Sequence, residues 1–340
     1  MTATQRMKAM VNGQPVDRVG VSAWKHIYLE DRHPVDFVKR TCSFQQDNDW
    51  DFVKVSYNGY LMPEAFGADI AWSPDSNTFP TMLKHNVNHP AEWAELKPAS
   101  VTEGALRREI DATARMVEHF KGEVPILPTI FSPLTAAQEM SCGWLNPWPL
   151  MADMQYSPSE LHQGLEIIAE TTARFMEELV KVGVDGVFFA TQLACYNRAT
   201  KEQYDEFGRK YDLKLLDAIQ DKTWLNMVHI HGAEQLFFTE IEDYPVQAFN
   251  WEDINSNISL AYARAHTDKI LCAGIEHVHD FYEPDRAVLK EKLRARVQTA
   301  IAAAGKEKLV IGPGCVVPTD VPEYRLTVLK EVVEEMGANG

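Results

Sequence analysis

Apolar positions gather into short runs rich in β-branched and aromatic residues: RVGVSAW (18–24), DFVKVSY (51–57), VPILPTIF (124–131), GVDGVFFA (183–190), WLNMVHIH (224–231), PVQAFNW (245–251), KILCAG (269–274) and KLVIGPG (308–314). Apolar runs of this length predict eight buried strands. Helical patterns with recognisable ends separate most of them. In 157–183, Ser157 suits the N-cap, Pro158 the first turn and Glu160 the capping-box position, and Gly183 closes the helix. A second helix opens with Thr200 and Gln203, and a third runs to a terminating Gly305.

Strands alternating with helices predict parallel β-structure, and eight such units match an α/β (β/α)8 TIM barrel better than a doubly wound sheet. No GxGxxG follows any strand, so a dinucleotide fold is not indicated. The stretch 63–97 is irregular, polar and rich in Pro, Asn and His, and reads as an insertion over one face of the barrel. With no long linker elsewhere, 1–340 is expected to form a single domain.

Composition narrows the function. A net charge of −16 without a basic stretch argues against nucleic acid. No apolar run nears the roughly 20 residues that span a bilayer, and the N-terminus lacks a signal peptide's apolar segment, so a cytoplasmic protein is expected. Five cysteines, odd in number and without a CxxC pair, form no disulfide framework, so a functional cysteine would be a lone ligand or nucleophile.

The candidate chemistry lies in NMVHIHGAEQ (226–235). Residues two apart in a strand point to one side, so His229 and His231 present both imidazoles to one region, and Gly232 lets the backbone turn away. Cys315, just beyond the last strand, falls at the same C-terminal face, where barrel active sites form. Spacing alone fits either of two arrangements: a catalytic zinc site of two imidazoles and one thiolate, or satisfied barrel histidines with a structural cysteine.

Read together, HIHG (229–232), AGIEH (273–277) and GPGCVVPTDVP (312–322) resemble the uroporphyrinogen decarboxylase superfamily. MPEAFGADI (62–70), FSPLTAAQEM (131–140) and EQYDEFGRKYDLKLLDAI (202–219) extend the likeness over most of the chain. The resemblance implies a (β/α)8 barrel. Decarboxylases of the superfamily carry an RQAGR-like stretch after the first strand and an aspartate before a PEALG-like motif. Here WKHIYLED (24–31) and Asn58 stand in those places, so porphyrinogen decarboxylation is not expected. The other branch holds zinc-dependent methyltransferases that work with corrinoid proteins, with His-x-Cys and a later cysteine as ligands. His229, His231 and Cys315 match those positions, His231 replacing the usual cysteine.

A His–His–Cys set carries one thiolate fewer than His–Cys–Cys and should make zinc the stronger Lewis acid, which suits polarising an ether oxygen. The resemblance therefore implies a methyl ether, aryl first, as the small-molecule donor. The Co(I) corrinoid of a separate protein would be the acceptor, because this chain lacks the corrinoid-binding D-x-H-x-x-G motif; DRHPVD (31–36) has no glycine. Two alternatives stand beside it: methylcobamide:thiol transfer of the coenzyme M type, and a non-catalytic barrel binding a tetrapyrrole or small ligand.

Glu276 and His277 follow the seventh strand and are candidates for a fourth ligand, an acid for the leaving oxygen or a substrate contact; a surface loop is the other reading. Glu139 is a candidate proton donor or a helix-face carboxylate. Trp24, Tyr57 and Trp251, with Asn58, are candidates to line a flat pocket, or they pack under the insertion. The sequence leaves the identity of the donor, the corrinoid partner and the oligomeric state open.

Overall fold

The computed structural model describes residues 1–144 and 146–338; Leu145 and the last two residues of the expected domain lie outside the described residues. Its ten strands are β1 (Gly20–Val21), β2 (Val53–Val55), β3 (Asp69–Ala71), β4 (Thr81–Lys84), β5 (Ile126–Phe131), β6 (Phe188–Thr191), β7 (Met227–Ile230), β8 (Ala248–Trp251), β9 (Ile270–Ile275) and β10 (Leu309–Pro313). Eight form one sheet in the order β1-β10-β9-β8-β7-β6-β5-β2, with every pair parallel. These are the eight strands that the apolar runs predict, surrounded by helices as a (β/α)8 barrel requires.

β1 and β2 close the ring through individual hydrogen bonds and no strand ladder. The Asp51 amide donates to the Val21 carbonyl at 2.9 Å, and Ser22 Oγ donates to the Phe52 carbonyl at 3.0 Å. The Asp51 carboxylate accepts from the Val21 amide at 2.7 Å, from Arg6 at 2.5 Å and from Arg18 at 2.6 Å. Asp51 is buried but has a donor on each oxygen, so the charge at this seam is fully paired.

Alternation sets what the barrel holds inside. Phe52, Leu127, Phe188, Met227, Ala248, Ile270 and Val310 point inward and fill the lower layer. Two residues further along their strands, Lys54, Thr129, Ala190 and His229 face a cavity above that layer, and Asn250 continues the same row. The intervening positions, such as Phe249 and Trp251, face outward into the shell of packed helices.

The expected helices are present at Pro158–Val182, which stops at Gly183, and at Arg286–Ala304, which stops at Gly305. Thr200 and Gln203 form the capping box, whereas Ser157 occupies the N-cap position without a side-chain hydrogen bond. The insertion is more ordered than the sequence suggests. It contains the antiparallel hairpin β3–β4 and a 3-10 turn at Pro90–Glu95. Its strands escape the pattern because they are largely exposed and have no apolar face to alternate. Among the described residues, no helix is long and apolar enough to cross a membrane.

Candidate metal centre and cavity

β7 delivers the two histidines. His229 lies inside the strand and His231 just past it, where its amide still donates to the Thr191 carbonyl at 2.9 Å. Gly232 follows at φ +124°, a left-handed conformation that turns the chain away. Cys315 arrives from the loop after β10. That loop packs so closely on the end of β8 that a Cβ on Gly314 would lie 2.5 Å from Glu252 Cα, so the close approach that seats the thiol needs glycine.

Cys315 Sγ lies 3.7 Å from His229 Nε2 and 3.5 Å from His231 Nδ1. A tetrahedral zinc ion with ordinary Zn–S and Zn–N bonds holds sulfur and nitrogen about 3.6 Å apart. All three donor atoms lie within 4.8 Å of one another, so the residues are placed to converge on such an ion.

Their protonation also fits. Asn250 donates through Nδ2 to the carbonyls of Cys272 and Pro313, at 2.8 and 3.0 Å, which leaves Oδ1 facing His229 Nδ1 at 2.7 Å. The proton of His229 must then sit on Nδ1, and the Nε2 lone pair faces Cys315. Burial lowers the pKa of His229 and brings that of His231 to about 4. Burial opposes ionisation of Cys315, but the adjacent His229 outweighs it and the thiol falls to about 7. Two neutral imidazoles and a thiol at the edge of ionisation are the forms a metal ion takes up.

The trio opens into a cavity of about 640 Å³ at the C-terminal mouth of the barrel. Trp24, Tyr57, Phe131 and Phe188 line it from the barrel, and Phe79 and Met82 line it from the insertion. Phe188 stacks on the His229 ring at 5.4 Å, and Trp24 meets Phe188 edge-on at 5.3 Å.

Trp24 and Tyr57 line the cavity, while five other candidates do not. Trp251 is the odd neighbour of inward-facing Asn250, so it points outward, packs on Phe238 and donates to the Ile258 carbonyl. Asn58 is buried and spent on the fold: it donates to Asp31 at 2.8 Å and accepts from the Tyr60 amide. Glu139 is buried with no partner on either oxygen, and burial pushes its pKa well up. Glu276 accepts from the amides of Val278 and His279, so it ties its own loop together.

His277 also lies outside the cavity wall, with Nδ1 2.9 Å from Glu252. Burial opposes its protonation but the Glu252 carboxylate prevails, raising its pKa. Glu252, Glu276 and His277 form a second group of donor atoms within 4.8 Å of one another. Sequence reasoning missed Asn250 and Glu252. Their one signal was position, at the C-terminal end of a barrel strand.

The fold and site define an α/β barrel with a candidate metal centre beneath an aromatic cavity. The family model for uroporphyrinogen decarboxylase (URO-D) matches residues 2–336, and the chain belongs to that family. Among curated relatives, the methylcobamide:CoM methyltransferase MtbA of Methanosarcina acetivorans is 23% identical over 181 residues, 53% of this chain and 51% of the relative. The uroporphyrinogen decarboxylase of Aliivibrio salmonicida is 24% identical over 239 residues, 69% of this chain and 65% of the relative. The match to MtbA thus spans about half the length of that relative. A solved methyltransferase from Methanosarcina mazei shares the fold with a TM-score of 0.82 at 17% identity, covering 99% of both chains.

Proposed function

We propose that this protein moves a methyl group from a methyl ether, aryl first, to the Co(I) corrinoid of a separate protein, using zinc held by His229, His231 and Cys315. The observation that carries the reading is the meeting of those three donors, with the sulfur 3.7 and 3.5 Å from the two nitrogens, beside an aromatic cavity. Family membership and the name of the MtbA relatives support the transferase class.

Zinc, when bound, supplies Lewis acidity toward the oxygen that carries the methyl group. The chain's own residues do the rest. Asn250 fixes the tautomer and direction of His229. Trp24 and Phe188 offer faces for an aryl ring and keep water from its ether oxygen. In the overall transfer the methyl C–O bond breaks, a C–Co bond forms, and the phenolate takes a proton from solvent.

The test joins elemental analysis to activity. Purified protein should carry one zinc, Cys315→Ala should lose it, and the zinc-loaded protein should demethylate methoxyarenes only with a Co(I) carrier. Absence of zinc from both proteins, with tight porphyrin binding, would favour the non-catalytic barrel. A second transferase reading, methylation of a thiol, is favoured by the activity that both MtbA relatives are named for. X-ray absorption separates the two: under the thiol reading, adding 2-mercaptoethanesulfonate raises the sulfur ligands on zinc from one to two.

A further inference from the structure

Lys54 enters the cavity from β2, one inward-facing step above Phe52. Its ammonium donates to Ser56 Oγ at 3.2 Å and lies 4.9 Å over the Phe188 ring. Among the described residues it forms no ion pair with a carboxylate, although the chain holds 49 acidic residues against 33 basic ones, and no Asp or Glu lines the cavity. A half-buried ammonium without a carboxylate partner is left to find its counter-charge elsewhere.

A divalent ion seated on His229, His231 and Cys315 would leave that corner of the cavity net positive even with the thiol ionised. His26 lies close enough for the charge of Lys54 to oppose its protonation. Burial drives the ring to a pKa of about 3, so it is neutral, and its Nδ1 is buried without a partner. The cavity thus places an ammonium and a neutral imidazole, both short of hydrogen-bond partners, among aromatic walls.

We propose that Lys54 and His26 form an anion-selecting subsite, and that the donor is a methoxyarene bearing a carboxylate on the ring. The identity of the methyl donor rests on the transferase reading above; the preference for an anion does not. One end of such a molecule would meet the His229, His231 and Cys315 trio, its ring the Trp24 and Phe188 faces, and its carboxylate the Lys54 ammonium.

The test is equilibrium binding to the zinc-loaded protein, read by calorimetry, of each methoxybenzoate isomer against the matching methoxybenzamide, which has the same shape without the charge. At least one benzoate should bind about tenfold or more tightly than its amide, the usual range for a charge-assisted pair. In Lys54→Met that ratio should fall below about twofold, with amide binding unchanged, and Lys54→Arg should keep most of it. Lys54→Gln serves if Lys54→Met does not fold.

Equal binding of benzoates and amides by the native protein overturns the proposal, and so does a preference that survives Lys54→Met and Lys54→Gln. A Lys54-dependent preference confined to 2-mercaptoethanesulfonate over 2-mercaptoethanol also overturns it as stated. Methyl transfer separates the two readings. Neutral methoxyarenes reacting as fast as methoxybenzoates overturn anion selection and leave the transferase standing. Lys54-dependent binding without transfer to a Co(I) carrier does the reverse.

Discussion

Asp51 at the closed end of this barrel and His26, Lys54 and Glu139 at its open end are paired in opposite ways. At the closed end, Asp51 meets Arg6, Arg18 and the Val21 amide, so each carboxylate oxygen is satisfied. At the open end, His26 Nδ1 and both Glu139 oxygens have no partner, and Lys54 has a single hydroxyl acceptor. Complete pairing holds a ring together where no strand ladder does.

Removing a group should therefore cost stability at one end and not at the other. Asp51→Ala removes the buried carboxylate that pairs Arg18 and that Arg6 shares with Asp17, and should destabilise the fold by about 3–5 kcal/mol in urea denaturation. A loss below about 1 kcal/mol would show that β1 and β2 close without it.

Asn250→Ala lies between the extremes. It frees the His229 ring to rotate and should weaken zinc about 10–100-fold in competition with a chelator, without abolishing binding. Unchanged affinity would mean that the strand alone orients the ring.

At the open end the sign should reverse. Glu139→Met replaces an unpaired carboxyl with an apolar side chain of similar size and should leave stability unchanged or raise it by about 1 kcal/mol. A clear loss in thermal denaturation would reveal a partner for that carboxyl.

The smallest effect is one of pH. Burial lowers Lys54 to about 8, against the opposing Cys315 thiolate, so the side chain is a cation below that pH and neutral above it. In the metal-free protein, benzoate-over-amide selectivity should be greater near pH 7 and fade as pH rises through about 8, because the ligand's own carboxylate stays ionised throughout. Selectivity that is flat to pH 10 would assign the charge recognition to another group.

Strands buried on both faces read as continuous apolar runs, and that made eight of the ten legible in sequence. The β3–β4 hairpin was not, since residues such as Asp69 and Lys84 carry no core pattern. His229, His231 and Cys315 could be found from strand ends and motif likeness. Asn250 could not, because its pairing with His229 is a register between β7 and β8 and leaves no mark within either strand. Trp251 misled for a related reason: an aromatic at a strand end looks like a pocket wall until the inward parity of its neighbour is known. Lys54 was hidden inside an apolar run, although its two-residue step from Phe52 places it on the inner face.

The insertion supplies Phe79, Met82 and His85 to the cavity wall, while the candidate metal donors come from the last third of the chain. The candidate metal donors and this part of the cavity wall are thus written in separate stretches of the gene. Recombination or random change confined to codons 63–97 can rescale what the mouth admits while sparing the donors, which makes this segment the natural place to redirect the protein toward new molecules.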